Sequence, residues 1–361
     1  MSDILQYKPD FNRAKEVWEA FWAGEIAGRP PVLVSVTKPG TETINVTANR
    51  YINAVHGKHE EQLGIIDRWL ESTLFLGELI PKFAPDHGPD QVAACLGTEL
   101  IFNQSSRNHT NWAKPAIDDW DVFMPLKLRE NNATWASLLR FSRTLANHSE
   151  GRYLVSCIDF HTHFDALAAL RHNDRLCMDF YDFPAVVKSA AEQAAALYPK
   201  IYSDLYEAGN MGGDRGCIGA HPFWSPGRFA TIQCDFIALV GPVIFRKYIM
   251  PAIESEVAFL DHCSFHLDGP AALTHLDDIL AIEGIDIIQW VPGAGQRPDN
   301  EWPELMKRCQ EAGKAVWVRD VDFQKLKALH SELRPNRVIY SLSARDETEA
   351  QHMMQWLVNN T

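Results

Sequence analysis

His266 and Asp268 stand two residues apart at the end of the apolar run Ser264-Phe265-His266-Leu267-Asp268. In an extended strand residues i and i+2 point the same way, so an imidazole and a carboxylate are aimed at one place. That pair suits Zn2+ or another divalent ion. The same residues have a plainer use, with Asp268 capping the helix that begins at Pro270 and His266 held by hydrogen bonds. A second cluster, Asp159, His161 and His163, follows another apolar run. Two histidines at this spacing are a metal arrangement, and His161 equally suits a donor to substrate. Asp235, in Gln233-Cys234-Asp235-Phe236, is placed for general acid chemistry, for clamping a substrate, or for capping a helix.

These residues need elements to bring them together. Short apolar runs at 32–36, 82–84, 153–158, 215–218, 264–267, 286–290, 315–318 and 338–341 read as strands, each followed by a helical pattern. Eight strand–helix units close best as a (β/α)8 TIM-type barrel, an α/β fold. An open doubly wound sheet is disfavoured, because residues 36–40 after the first strand carry no GxGxxG turn. One domain over 1–361 is expected, with 1–30 as an N-terminal helical extension whose helix, 10–22, has Asp10 at its cap. Residues 51–76 read as mostly helical. Residues 97–130 lack a period and are expected as a long insertion over or beside the barrel mouth.

In such a barrel the carboxyl ends of the strands build the active site. That places Asp86, Asp159, His161, His221, His266, Asp268, Gln289, Trp290 and Tyr340 around one mouth. The expected roles are catalytic for Asp235, His161, Asp86 and Tyr340. Trp224, His221, Gln289, Trp290 and Asp159 are expected to bind substrate, and His266 and Asp268 to bind metal.

Composition narrows the partners. The 361 residues carry a net charge of −13 without a basic stripe, which argues against nucleic acid and anionic membrane. No apolar run reaches the roughly 18 residues of a membrane span, and the first residues are polar, so a cytoplasmic protein is expected. The 7 cysteines form no CxxC pair and read as reduced core thiols. A homodimer is left open.

The order "CDFIALVGPVIFRKYIMP", "FHLDG", "IDIIQW" resembles the uroporphyrinogen decarboxylase-like superfamily, which includes corrinoid-linked methyltransferases. "FHTHFDALAALR" followed by "MDFYDFP" is similar to a segment of those methyltransferases. The resemblance runs from about residue 31 to the C-terminus and implies a TIM-type barrel. The methyltransferases hold Zn2+ with His-x-Cys and a later Cys. His266 matches the first ligand, Asp268 stands in place of the first thiolate, and no cysteine follows Cys309. The carboxylate makes the site harder, which favours an oxygen-bearing substrate over a thiol. Asp86 matches the decarboxylases' catalytic aspartate in position. Their arginine-bearing stretch after strand one and their late G-H-G-I are replaced here by 34–39 and 340–344, so porphyrinogen decarboxylation is not expected. The resemblance implies metal-assisted methyl transfer involving a small molecule and a corrinoid carried by a partner protein. The alternative is a metal-dependent or acid–base lyase, decarboxylase or isomerase acting on a small oxygenated substrate.

Overall fold

The computed structural model describes residues 5–103, 110–129 and 131–361. The chain opens with the helix Phe11–Trp22, which buries Phe11, Ala14, Val17, Trp18 and Phe21 along one stripe. Asp10 occupies its N-cap position but makes no side-chain cap bond; its carboxylate pairs instead with Lys8 Nζ at 3.0 Å. The strands follow in chain order: β1 (Val32–Thr37), β2 (Thr73–Gly77), β3 (Lys82–Phe83), β4 (Leu100–Phe102), β5 (Asn111–Ala113) and β6 (Leu154–Val155). Then come β7 (Cys217–Ile218), β8 (Trp224–Ser225), β9 (Phe229–Gln233), β10 (His262–Asp268), β11 (Ile287–Val291), β12 (Ala315–Val321) and β13 (Val338–Leu342).

Seven strands form one sheet in the order β2-β1-β13-β12-β11-β10-β9. Every neighbouring pair is parallel except β1 and β2. A separate parallel pair joins β3 to β6. Cys157 N donates to Ile218 O at 2.9 Å, which links the end of β6 to β7. From β7 to β9 the bridge is a side chain: Tyr202 Oη donates to Phe229 O at 3.1 Å and lies 3.4 Å from Cys217 Sγ. The expected eight-stranded ladder is therefore not a continuous run of backbone pairing among the described residues. What stands is a mixed α/β fold with a large, mostly parallel sheet.

Two strands of the large sheet were not legible in sequence. Thr73–Gly77 falls inside the stretch read as helical, but the helix His59–Ser72 stops before it and the chain turns back along β1. The close return explains Gly77: at φ +60 it sits where a Cβ would lie 2.3 Å from Val32 O. Phe229–Gln233 is the other. All five of its residues are buried, so no alternation marks it. It, rather than the two-residue β7, supplies the edge of the large sheet beside β10.

The two ends of the sheet differ. Trp22 stacks on His262, the first residue of β10, at 4.3 Å, and packs on Phe229, the first residue of β9. The N-terminal helix therefore covers the amino ends of the strands. The carboxyl ends are left to the residues that carry chemistry.

Candidate functional site at the carboxyl ends of the strands

A cavity of about 200 Å3 is lined by Arg50, Lys82, Ala84, Asp86, Asp159, Ala220, His221, Gln233, His266 and Gln289. The period of two explains several of these: Lys82, Ala84 and Asp86 leave the β3 segment on one face. His266 and Gln289 are paired across β10 and β11, and Gln233 is opposite His266 on β9. The amide of Gln233 donates to Asp159 Oδ1 at 2.8 Å. Gln91 Nε2 donates to Asp86 Oδ1 at 2.5 Å and to the Asp159 carbonyl at 3.1 Å. Arg50 Nη2 lies 3.7 Å from Asp86 Oδ2. Burial raises the Asp86 carboxyl despite that guanidinium. Burial and the neighbouring His266 push His221 well below the usual imidazole range, and its Nδ1 lies 2.8 Å from Ser264 Oγ.

Above this cavity His161 sits between two carboxylates, with Nε2 3.6 Å from Asp159 Oδ2 and Nδ1 3.6 Å from Asp165 Oδ2. Burial opposes its charge, yet the two acids win and hold the imidazolium well above its ordinary value. Asp159 responds in the opposite sense: burial raises it, but His161 outweighs burial and holds it far below the usual carboxylate range. Asp165 also accepts from the backbone of Asp235 at 3.1 Å and of Phe236 at 3.0 Å. It thereby does the capping that Asp235 itself was a candidate for. Partial desolvation, then the Asp165 charge, push the Asp235 carboxyl up to about 6. A larger outer cleft of about 620 Å3 opens here, lined by His161, Asp165 and Asp235 and walled by Trp112, Ala113 and Pro115. The hairpin β4–β5 of the irregular 97–130 segment thus stands beside the mouth; residues 104–109 and 130 of that segment lie outside the described residues.

Asp235, His266 and Asp268 each offer a ligand atom, and these atoms all lie within 4.8 Å of one another. The helical turn that begins at Pro270 has Gly269 at its N-cap and no side-chain cap bond, so the capping use of Asp268 is not seen. His266 Nδ1 makes a short hydrogen bond with Gln289 Oε1. An amide oxygen only accepts, so Nδ1 carries the proton and Nε2 keeps its lone pair for a cation. One nitrogen and two carboxylates fit a divalent ion of intermediate hardness, and no cysteine joins the cluster. All seven cysteines are free thiols, and six of them are buried.

Of the residues expected at the mouth, Asp86, Asp159, His221, His266 and Gln289 line the inner cavity, and His161 and Asp235 line the outer cleft. Three stand elsewhere. Tyr340 is fully buried and packs on His330 of the helix Phe323–His330, on the helix side of β13. Its neighbour Ser341 faces inward, accepting from Trp317 Nε1 at 2.8 Å, as strand alternation requires. Trp290 likewise faces outward onto Trp302, because Gln289 takes the inner position. Trp224 donates to Arg215 O and accepts from Trp22, at the amino end of the strands. His163 is buried under the site against Glu256 rather than in it. Arg50, Lys82, Asp165 and Gln91 were missed. Lys82 was readable, since it shares the parity of Asp86; Arg50 and Gln91 arrive from helices whose placement only the fold decides.

No protein-family model matches the chain, and no curated protein matches it. Among solved structures, a methyltransferase from Methanosarcina mazei is similar over 96% of this chain and 98% of its own, with a TM-score of 0.57 and 13% identity. At that identity the likeness concerns architecture. The chain shares the α/β fold of that methyltransferase from end to end.

Proposed function

We propose that this protein is a (β/α)8-barrel enzyme that binds a divalent metal through Asp235, His266 and Asp268 and transfers a methyl group to or from a small oxygen-bearing molecule. The observation that carries the reading is the convergence of those three ligand atoms within 4.8 Å, at the carboxyl ends of β9 and β10. The likeness in fold to a methyltransferase supports the reaction class. A bound metal would supply Lewis acidity to a substrate oxygen. The chain's own residues do the rest. Gln289 fixes the His266 ring, and Asp165 fixes the backbone under Asp235. His161, held cationic by Asp159 and Asp165, stands as a proton donor or an anchor for negative charge in the outer cleft. The other partner in the transfer, giving or receiving the methyl group, would be a corrinoid carried by a second protein, which the open outer cleft leaves room to approach.

A metal-free acid–base lyase is the second reading, favoured by the Asp235 carboxyl at about 6, near neutral working pH. The experiment is metal analysis by plasma emission on freshly purified protein, with Co2+ absorption to report ligation, beside a methylcobalamin demethylation assay with methanol, phenol and catechol. Stoichiometric metal lost in His266→Ala and Asp268→Ala, together with turnover, supports the proposal. Absence of binding by any of Zn2+, Co2+ or Mn2+ overturns it.

A further inference from the structure

Lys82 leaves β3 into the inner cavity, and among the described residues its ammonium donates to one acceptor, Ala220 O at 2.8 Å. An ammonium has three donors. No carboxylate pairs with it among the described residues: Asp86 is engaged by Gln91 and Arg50, and Asp159 by Gln233 and His161. Arg50 lines the same cavity, and beyond its contacts with Tyr51 and Asp86 it keeps part of its guanidinium surface open. Two cations with unused donors thus line a chamber of about 200 Å3. That is smaller than the ~300–1,000 Å3 of ordinary ligand clefts, so its occupant has few heavy atoms. Asp86 and Asp159 line the same chamber and offset its two positive charges, but neither touches the Lys82 ammonium, whose unfilled donors are costly when buried; that cost is removed either by losing the proton or by receiving an acceptor. Burial, then the like charge of Arg50, draw the Lys82 ammonium down to about 8, against Asp86 and Asp159, which oppose the fall.

We infer that the inner cavity is an anion subsite in which Lys82 and Arg50 hold the carboxylate of a small organic acid, with the acid's remaining oxygen directed toward His266. This deepens the proposed function by naming its substrate class as short hydroxy- or alkoxy-carboxylates, and it rests on that reading for the role of His266. His221 and Gln289 supply further polar contacts. The neutral His221 suits a site that already holds two cations.

The test is ligand-observed NMR on the full chain at pH 7, with acetate, methoxyacetate and butyrate against their uncharged amides. Carboxylates are expected to bind at least ten-fold tighter than the amides, and Lys82→Gln to weaken them ten-fold or more. Lys82→Arg should retain most of the binding, and the exposed Lys58→Gln all of it. If Lys82→Gln does not fold, wild-type binding over pH 7–10 decides, because affinity must fall as the ammonium is lost. Equal binding of amides, wild-type affinity in Lys82→Gln, or affinity independent of pH overturns the subsite. So does a secondary-amine adduct on Lys82 formed when borohydride reduces its imine with pyruvate, which would make the lysine an amine nucleophile. Metal occupancy is read separately by Co2+ absorption, so carboxylate binding without metal sinks the metal reading and leaves the subsite standing.

Discussion

His266 coordinates nothing well unless its ring is turned correctly, and Gln289 is the residue that turns it. Losing an outer hydrogen bond of this type typically costs 10–100-fold in metal affinity. Gln289→Leu should therefore weaken Co2+ binding by about that factor while the protein melts normally. Unchanged affinity would mean that the ring is held by something else. Asp268→Cys should raise preference for zinc, since thiolate is the softer donor. Competition between Zn2+ and Mn2+ measures it, and unaltered selectivity would remove Asp268 from the ligand set. Tyr340 gives the opposite expectation. Its hydroxyl is buried without a hydrogen-bond partner, and desolvation pushes its titration beyond any working pH. Tyr340→Phe should leave turnover intact and be neutral or stabilising by about 1 kcal/mol. A large loss of activity would return Tyr340 to the site. The sequence showed the right residue types at strand ends but not their parity. His266/Asp268 could be paired because they share one strand. Tyr340 and Trp290 could not be assigned to a face without knowing which neighbour pointed in.

At the level of elements, the turn that carries His161 and Asp165 is anchored from below by the helix Met250–Phe259. Thr162 Oγ1 makes a short bond to Glu256, and His163, at φ +32, lies 3.7 Å from the same carboxyl. Glu256 is 1% exposed, and burial pushes its pKa up to about 8 from an ordinary 4.5. Between those values the folded state holds a proton that the unfolded state has released, so stability falls as pH rises from about 4.5 to 8. Below pH 6.5 the effect is offset by His163, drawn down to about 4 by burial, which destabilises the fold as pH falls. The clean window is therefore pH 6.5 to 8. Glu256→Gln mimics the protonated acid and should flatten that fall, gaining on the order of 2–3 kcal/mol at pH 7. Parallel melting curves of variant and wild type at pH 5 and pH 8 would contradict it if their difference did not grow. None of this anchoring was legible in the chain, because Thr162 and Glu256 are 94 residues apart. The elements that were legible had amphipathic stripes or flanking turns, such as Phe11–Trp22. Phe229–Gln233, buried on both faces and only five residues long, had neither.

For the molecule as a whole, the two ends of the sheet divide the work. At the amino end, Trp18 is fully buried, donates to Glu78 O at 3.1 Å and packs on Phe223. Beside it Arg29 and Glu78 form an ion pair at 2.6 Å that also satisfies Val32 N. The Asp235, His266 and Asp268 cluster and the inner cavity lie at the other end, where the strands finish and no part of the N-terminal helix reaches them. This separation explains why the chain tolerates so many titratable groups around one mouth: the ordering of the strands is secured elsewhere, by apolar packing and an ion pair that does no chemistry. It also makes a prediction with two readouts. Trp18→Ala removes a large side chain from a closed core and should cost about 3–5 kcal/mol, lowering the melting temperature by several degrees. Held well below its new melting temperature, the variant should bind Co2+ and small carboxylates as the wild type does. Asp159→Asn should behave in the reverse way. It removes one of the two charges that hold His161 cationic, so the His161 titration followed by NMR should move down, while the melting temperature changes far less than in Trp18→Ala. A Trp18→Ala protein that stays folded yet loses ligand affinity would show that the two ends are coupled through the strands, and the division of labour would have to be abandoned.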